Sequence, residues 1–132
     1  MSGDVRVIQP SDFVRARPDG QCDLEAGERL LAEIAEKADD LQDFSILVDT
    51  RRVTGMLSAG QLWYLAEKFA VHPHIGHRKT AILCPRSRFD HAQFFGLCAE
   101  NRGSNVEAFT SYEEAMEWLL DRSTTDQPKE RT

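Results

Sequence analysis

The chain has 132 residues, 41% of them hydrophobic, which suits one domain with a core of its own and is too short to expect two. Its formal net charge of −6 argues against nucleic acid or anionic membrane as a partner, because binding phosphate depends on Lys and Arg neutralising it. No apolar run approaches the roughly 20 residues that span a bilayer, so membrane insertion is not expected.

The opening MSGDVRVIQP has neither a basic stretch nor an apolar core, so it does not read as a leader. Three cysteines, Cys22, Cys84 and Cys98, are an odd number without close spacing and predict a reducing, cytoplasmic setting. Val5 to Ile8 and Phe13 to Ala16 are β candidates separated by Gln9-Pro10-Ser11-Asp12, which favours a turn, and together they predict a hairpin. From Asp23 to Asp39, the residues Leu24, Gly27, Leu30, Leu31, Ile34, Ala35 and Ala38 recur at spacings of three and four. That spacing predicts an amphipathic helix, with Asp23 as its cap and Glu25 complementing the dipole.

Phe44 to Val48 is a short apolar run between two helical patterns, as expected of a strand buried on both faces. It gives way abruptly to the polar turn Asp49-Thr50-Arg51-Arg52. Ser58 and Gln61 have the spacing of a capping box, opening a helix whose buried stripe is Leu62, Leu65, Ala66 and Phe69 and which ends before His72-Pro73. Thr80 to Cys84 predicts a strand stopped by Pro85. Asp90 with Gln93 starts a third helix, closed by Gly103 in the left-handed conformation. Val106 to Phe109 is a last strand, and Ser111 with Glu114 opens a helix that turns Ala115, Trp118 and Leu119 toward the core. From Ser123 the polar STTDQPKERT cannot bury enough surface to order itself and reads as a loose tail after a single domain spanning 1–122.

The order is β-β-α-β-α-β-α-β-α, an α/β sandwich in which right-handed crossovers make the strands at 44–49, 79–84 and 105–110 parallel neighbours in a mixed sheet covered by helices. Here ILVDTRRVTG, the helix after Ser58, the strand TAILC and the segment NRGSNVEAFTSYEEAMEWLL together resemble the SpoIIAA-like domains of the broader STAS group, over roughly residues 5 to 121. The resemblance implies a module that binds a partner protein, or in some relatives a small ligand, without chemistry of its own. In the antagonist branch a D-S-S-G pattern at the start of a helix carries the phosphorylated serine. The matching residues here are Leu57-Ser58-Ala59-Gly60, so the resemblance implies a module lacking the usual phosphorylatable serine.

If the sheet is parallel, Asp49, Arg51 and Arg52 lie at a strand's carboxyl end, where open α/β folds place what they recognise. Guanidinium forks can engage a carboxylate or phosphate through two hydrogen bonds, while Asp49 shapes the turn and Gly55 supplies a positive φ. With Ser58 at the helix start, these five residues form the expected binding edge for an acidic group. Arg86, Arg88 and Arg102 flank the third helix and could extend a basic rim. His72, His74 and His77 sit in a Pro- and Gly-containing loop without a fourth ligand at zinc spacing, so neither a metal nor another cofactor is expected. Cys84 and Cys98 read as small core residues. A homodimer is expected, since sheet edges and aromatic helix faces invite pairing.

These readings favour a non-enzymatic regulatory or protein-binding module. The alternative is a carrier for a small apolar or phosphorylated ligand, which an apolar pocket with a few convergent polar groups would distinguish. An enzyme would need Ser58 or Asp49 in hydrogen-bond contact with a histidine of the 72–77 loop, and is the least favoured class.

Overall fold

The computed structural model describes residues 2–8 and 13–121. The expected turn at 9–12 and the tail from Ser123 lie outside the described residues.

Strands β1 (Ser2–Ile8) and β2 (Phe13–Gln21) pair antiparallel, with Ile8 opposite Phe13. β2 runs five residues further than its apolar pattern predicts, because its far end pairs again, with the two-residue strand β4 (Val53–Thr54). Helix α1 (Leu24–Lys37) starts where Asp23 Oδ1 accepts the Ala26 N–H at 2.8 Å. β3 (Ser45–Asp49) buries Ile46 on one face and Leu47 on the other, both to within 1% of full burial.

Helix α2 (Ala59–Val71) has both halves of the Ser58 capping box, Gln61 N–H to Ser58 Oγ at 3.1 Å and Ser58 N–H to Gln61 Oε1 at 2.9 Å. After β5 (Thr80–Leu83) comes a departure from expectation. A 3-10 turn over Arg86–Arg88 begins winding the chain directly after Pro85, so α3 (Phe89–Glu100) is preceded by Arg88 and not by Asp90. Among the described residues no side chain caps it; Asp90 lies within its first turn, complementing the dipole instead. Gly103 turns the chain at φ 96°, with its N–H on the Glu100 carbonyl, and β6 (Val106–Phe109) and α4 (Tyr112–Leu120) follow.

The sheet order is β1-β2-β3-β5-β6, with every pair after the hairpin parallel. Strand alternation sends successive residues to opposite faces. One face, including Val14, Ala16, Ile46, Ile82 and Val106, packs beneath α1, α2 and α3. The other, including Phe13, Leu47, Ala81 and Leu83, meets Ala115 and Leu119 of α4. Lys79 pins that helix: its buried Nζ donates to the Asp121 carbonyl at 2.9 Å and lies 4.7 Å from the Trp118 ring centre, and burial pushes its pKa down.

Candidate functional site

The three-helix face does not close completely. Beneath α1, α2 and α3 lies a cavity of about 180 Å³. Its floor is Ile46, Val48 and Ile82 of the sheet, and its walls are Leu30, Leu31 and Ile34 of α1, Leu62, Leu65 and Phe69 of α2, and Ala92 and Phe95 of α3. Gly27 lets α1 and α2 approach closely at the wall, since a Cβ there would come within 2.6 Å of Leu65 Cδ1.

The mouth is built from segments that follow the carboxyl ends of β2, β3 and β5: Cys22, the stretch Val53 to Leu57, and Arg88 with His91. The pairing of β4 with β2 holds that stretch in place, through Cys22 N–H to the Thr54 carbonyl at 3.0 Å. Gly55 has φ 78°, a conformation costly for other residues, while a Cβ there would make only ordinary contact with Gln21 and Cys22. Met56, 54% exposed, stands at the rim.

Polar groups in the lining fall into two sets. Both hydroxyls of the lining already have acceptors: Thr50 Oγ1, just past the carboxyl end of β3, donates to the Leu83 carbonyl at 2.9 Å, and Thr80 Oγ1, at the buried start of β5, to the Arg78 carbonyl at 2.8 Å. At the mouth, the side chains of Arg88 and His91 are half-buried and have no hydrogen-bond or ion-pair partner among the described residues. The Arg88 charge is felt by two thiols. Burial pushes Cys22 and Cys84 above the ordinary thiol value, Asp23 adds to the rise at Cys22, and Arg88 pulls both the other way.

The polar turn after β3 divides between the two faces of the sheet. Asp49, 8% exposed, points to the α4 side, where Arg51 closes on it with Nε to Oδ1 at 3.0 Å, Nη2 to Oδ2 at 2.9 Å and its backbone N–H to Oδ1 at 3.1 Å. Burial pushes this carboxyl up, but the Arg51 hydrogen bonds and charge, with Arg17 nearby, outweigh it and hold the pKa below the usual value. The Arg51 fork is thus engaged within its own turn. Arg52 stands 3.9 Å from Asp19, and Ser58 is exposed with its Oγ in the cap. Of the five residues of the expected edge, only Gly55 lines the cavity.

The remaining candidates are dispersed. His74 Nε2 donates to the Ala38 carbonyl at 2.6 Å, His72 Nδ1 accepts the His74 N–H at 3.1 Å, and His77 is exposed. Among the described residues no three His, Cys, Asp or Glu side chains are grouped to hold a metal. Arg102 lies over Trp63 at 4.6 Å and donates to the Cys98 carbonyl, away from Arg88. Cys84 and Cys98 are buried and free.

No family model matches the chain, and neither does any curated protein. A solved structure does. It is an uncharacterised protein of the DUF3478 family with a SpoIIAA-like fold from Shewanella loihica PV-4, 14% identical, covering 89% of this chain and 92% of its own, with a TM-score of 0.58. The fold is SpoIIAA-like. The SpoIIAA-like sheet therefore carries the cavity mouth at the carboxyl ends of its parallel strands, the usual position for a ligand in open α/β folds. No helix among the described residues is long and apolar enough to cross a membrane.

Sequence reasoning missed this site because its walls come from three helices separated in the chain, whereas periodicity reports only that each helix has a buried side. Gly27 within the α1 stripe signalled only a close helix approach, the one that Leu65 of α2 makes there.

Proposed function

We propose that this chain is a non-enzymatic binding module whose ligand is a small apolar molecule, or the apolar part of one, held in the cavity beneath α1, α2 and α3. The observation that carries this reading is the cavity lining: aliphatic and aromatic throughout its depth, with its two threonine hydroxyls both donating to backbone carbonyls. Such a space disfavours water, which needs several polar partners, and favours hydrocarbon. At about 180 Å³ it is somewhat larger than an engineered apolar cavity of ~150 Å³ that takes up benzene.

The absence of chemistry is part of the same proposal. The lining contains no carboxylate, and burial holds the nearby Cys22 and Cys84 thiols in their protonated, weakly nucleophilic form. A regulatory role accords with a small ligand, because occupancy would brace α1, α2 and the Val53–Leu57 stretch against one another.

The test is a titration of the protein with 1-hexanol, followed by the methyl resonances of Leu30, Leu65 and Ile82. Burying six methylene-sized groups at about 0.8 kcal/mol each gives about 5 kcal/mol, so a Kd somewhat below about 1 mM is expected. Val48→Phe, which fills the floor of the cavity, should weaken binding at least tenfold while keeping a dispersed methyl spectrum. Shifts confined to surface methyls, or an undiminished affinity in folded Val48→Phe, would refute the proposal.

A further inference from the structure

The cavity accounts for an apolar body but leaves its mouth unexplained. Arg88 ends the 3-10 turn after β5, and His91 follows one helical turn later on α3, so both side chains reach the same opening. Neither has a hydrogen-bond or ion-pair partner among the described residues. A guanidinium half withdrawn from water without a counter-charge is costly, and more so beside an apolar wall that offers no acceptors. Arg51 and Arg52 have carboxylates, Asp49 and Asp19; what sets Arg88 apart is its place in the lining of an apolar cavity.

Resting on the reading of the cavity as a ligand site, we infer that the ligand is an apolar carboxylic acid, a short alkyl or monocyclic aryl carboxylate, bound tail inward with its head on Arg88 and His91. The donor set suits that head. An Arg fork can engage both oxygens of a carboxylate, and one imidazole N–H supplies a third bond. A phosphate dianion has a third terminal oxygen and more charge to neutralise than this single cation and imidazole can satisfy. The direction of binding follows from the lining: a carboxylate placed deep would meet Ile, Leu, Val and Phe side chains and the Thr80 hydroxyl, which already donates, whereas at the mouth it meets the Arg88 cation. The net charge of −6 repels anions in general, so binding a carboxylate requires such a local positive group.

The experiment compares hexanoate with 1-hexanol at pH 8 by methyl NMR titration, in wild type, Arg88→Met and Arg86→Met, the last altering an exposed arginine outside the lining. Hexanoate is expected to bind wild type at least tenfold more tightly than hexanol. Arg88→Met should reduce that ratio to near one with hexanol binding kept, and Arg86→Met should leave it unchanged. Raising salt from 20 to about 500 mM should weaken hexanoate severalfold and leave hexanol unaffected, a readout that needs no variant. Equal affinity of wild type for the two ligands, or a hexanoate preference that survives in Arg88→Met, overturns the head-group assignment and leaves the cavity reading intact. If neither ligand perturbs the cavity methyls, the cavity reading fails and the inference with it.

Discussion

Ile46 and Leu47 are adjacent in the chain and equally buried, yet they belong to different halves of the molecule. Ile46 faces three helices across a space they do not fill, and Leu47 faces one helix that seats directly on the sheet. The α4 side is closed by Ala115 and Leu119, by Trp118 against Phe109, and by the Lys79 tether. Outside the footprint of α4 the same face becomes polar, with Arg6, Arg15 and Arg17 on β1 and β2 and the Asp49–Arg51 pair at the end of β3. One side thus has an apolar surface without a filling, and the other an apolar patch bordered by charge. The difference shows that pattern alternation assigns a residue to a face but not the packing it finds there.

Truncating the two neighbours gives the largest expected separation. Leu47→Ala should cost about 3–4 kcal/mol, because it opens a new cavity under a tightly seated helix. Ile46→Ala should cost about 1–2 kcal/mol less, since it enlarges a space already present and forfeits fewer contacts, and it should admit a longer alcohol than hexanol. Urea unfolding of both variants measures this, and equal losses would mean that the cavity is filled in solution by side-chain rearrangement.

A smaller effect tests the charged border. Asp49→Asn should lower stability by about 1 kcal/mol at neutral pH, a modest figure because Arg51 is half exposed and solvent screens its charge. The sign of its pH dependence follows from the lowered carboxyl pKa. Between the ordinary value near 3.8 and the lower folded value, the unfolded chain binds more protons than the folded one. Wild type should therefore hold its advantage over the variant above about pH 4 and lose it as acidity passes through the folded pKa. Parallel unfolding curves from pH 7 to 2.5 would show the convergence; a constant gap would assign the loss to something other than the carboxylate's charge.

The smallest effect has the opposite sign. Arg15 lies directly across from Arg6 in the β1–β2 register, and its buried Nε has no hydrogen-bond partner among the described residues. Like charges facing one another across strands are destabilising, and an unpaired buried donor adds to the cost. Arg15→Thr should raise stability by about 0.5 kcal/mol, read as a small upward shift in the thermal midpoint. A loss instead would show that the arginine's aliphatic stem covers the sheet to more effect than its head disturbs it.

What was legible in the sequence was local. Asp23 and Ser58 cap helices because a short side-chain oxygen reaches N–H groups only three residues away, and that geometry needs no other part of the chain. The parallel run β3-β5-β6 follows from short apolar runs between helical patterns and the handedness of crossovers, whereas the parallel pairing of β2 with β3 was not specified. The start of α3 was less certain even locally, since the 3-10 turn after Pro85 and Asp90 compete to begin the same helix. The tertiary structure decided the rest. β4 is two residues long, has no pattern of its own, and exists because the end of β2 offers it a partner. The divided fate of the polar turn, with Asp49 held by Arg51 on one face and Gly55 over the cavity on the other, depends on the pleat of a strand already placed in its sheet. The cavity depends on how closely three helices approach one another, a quantity set by side chains as distant as Gly27, Leu62 and Phe95, and no periodicity within a single helix contains it.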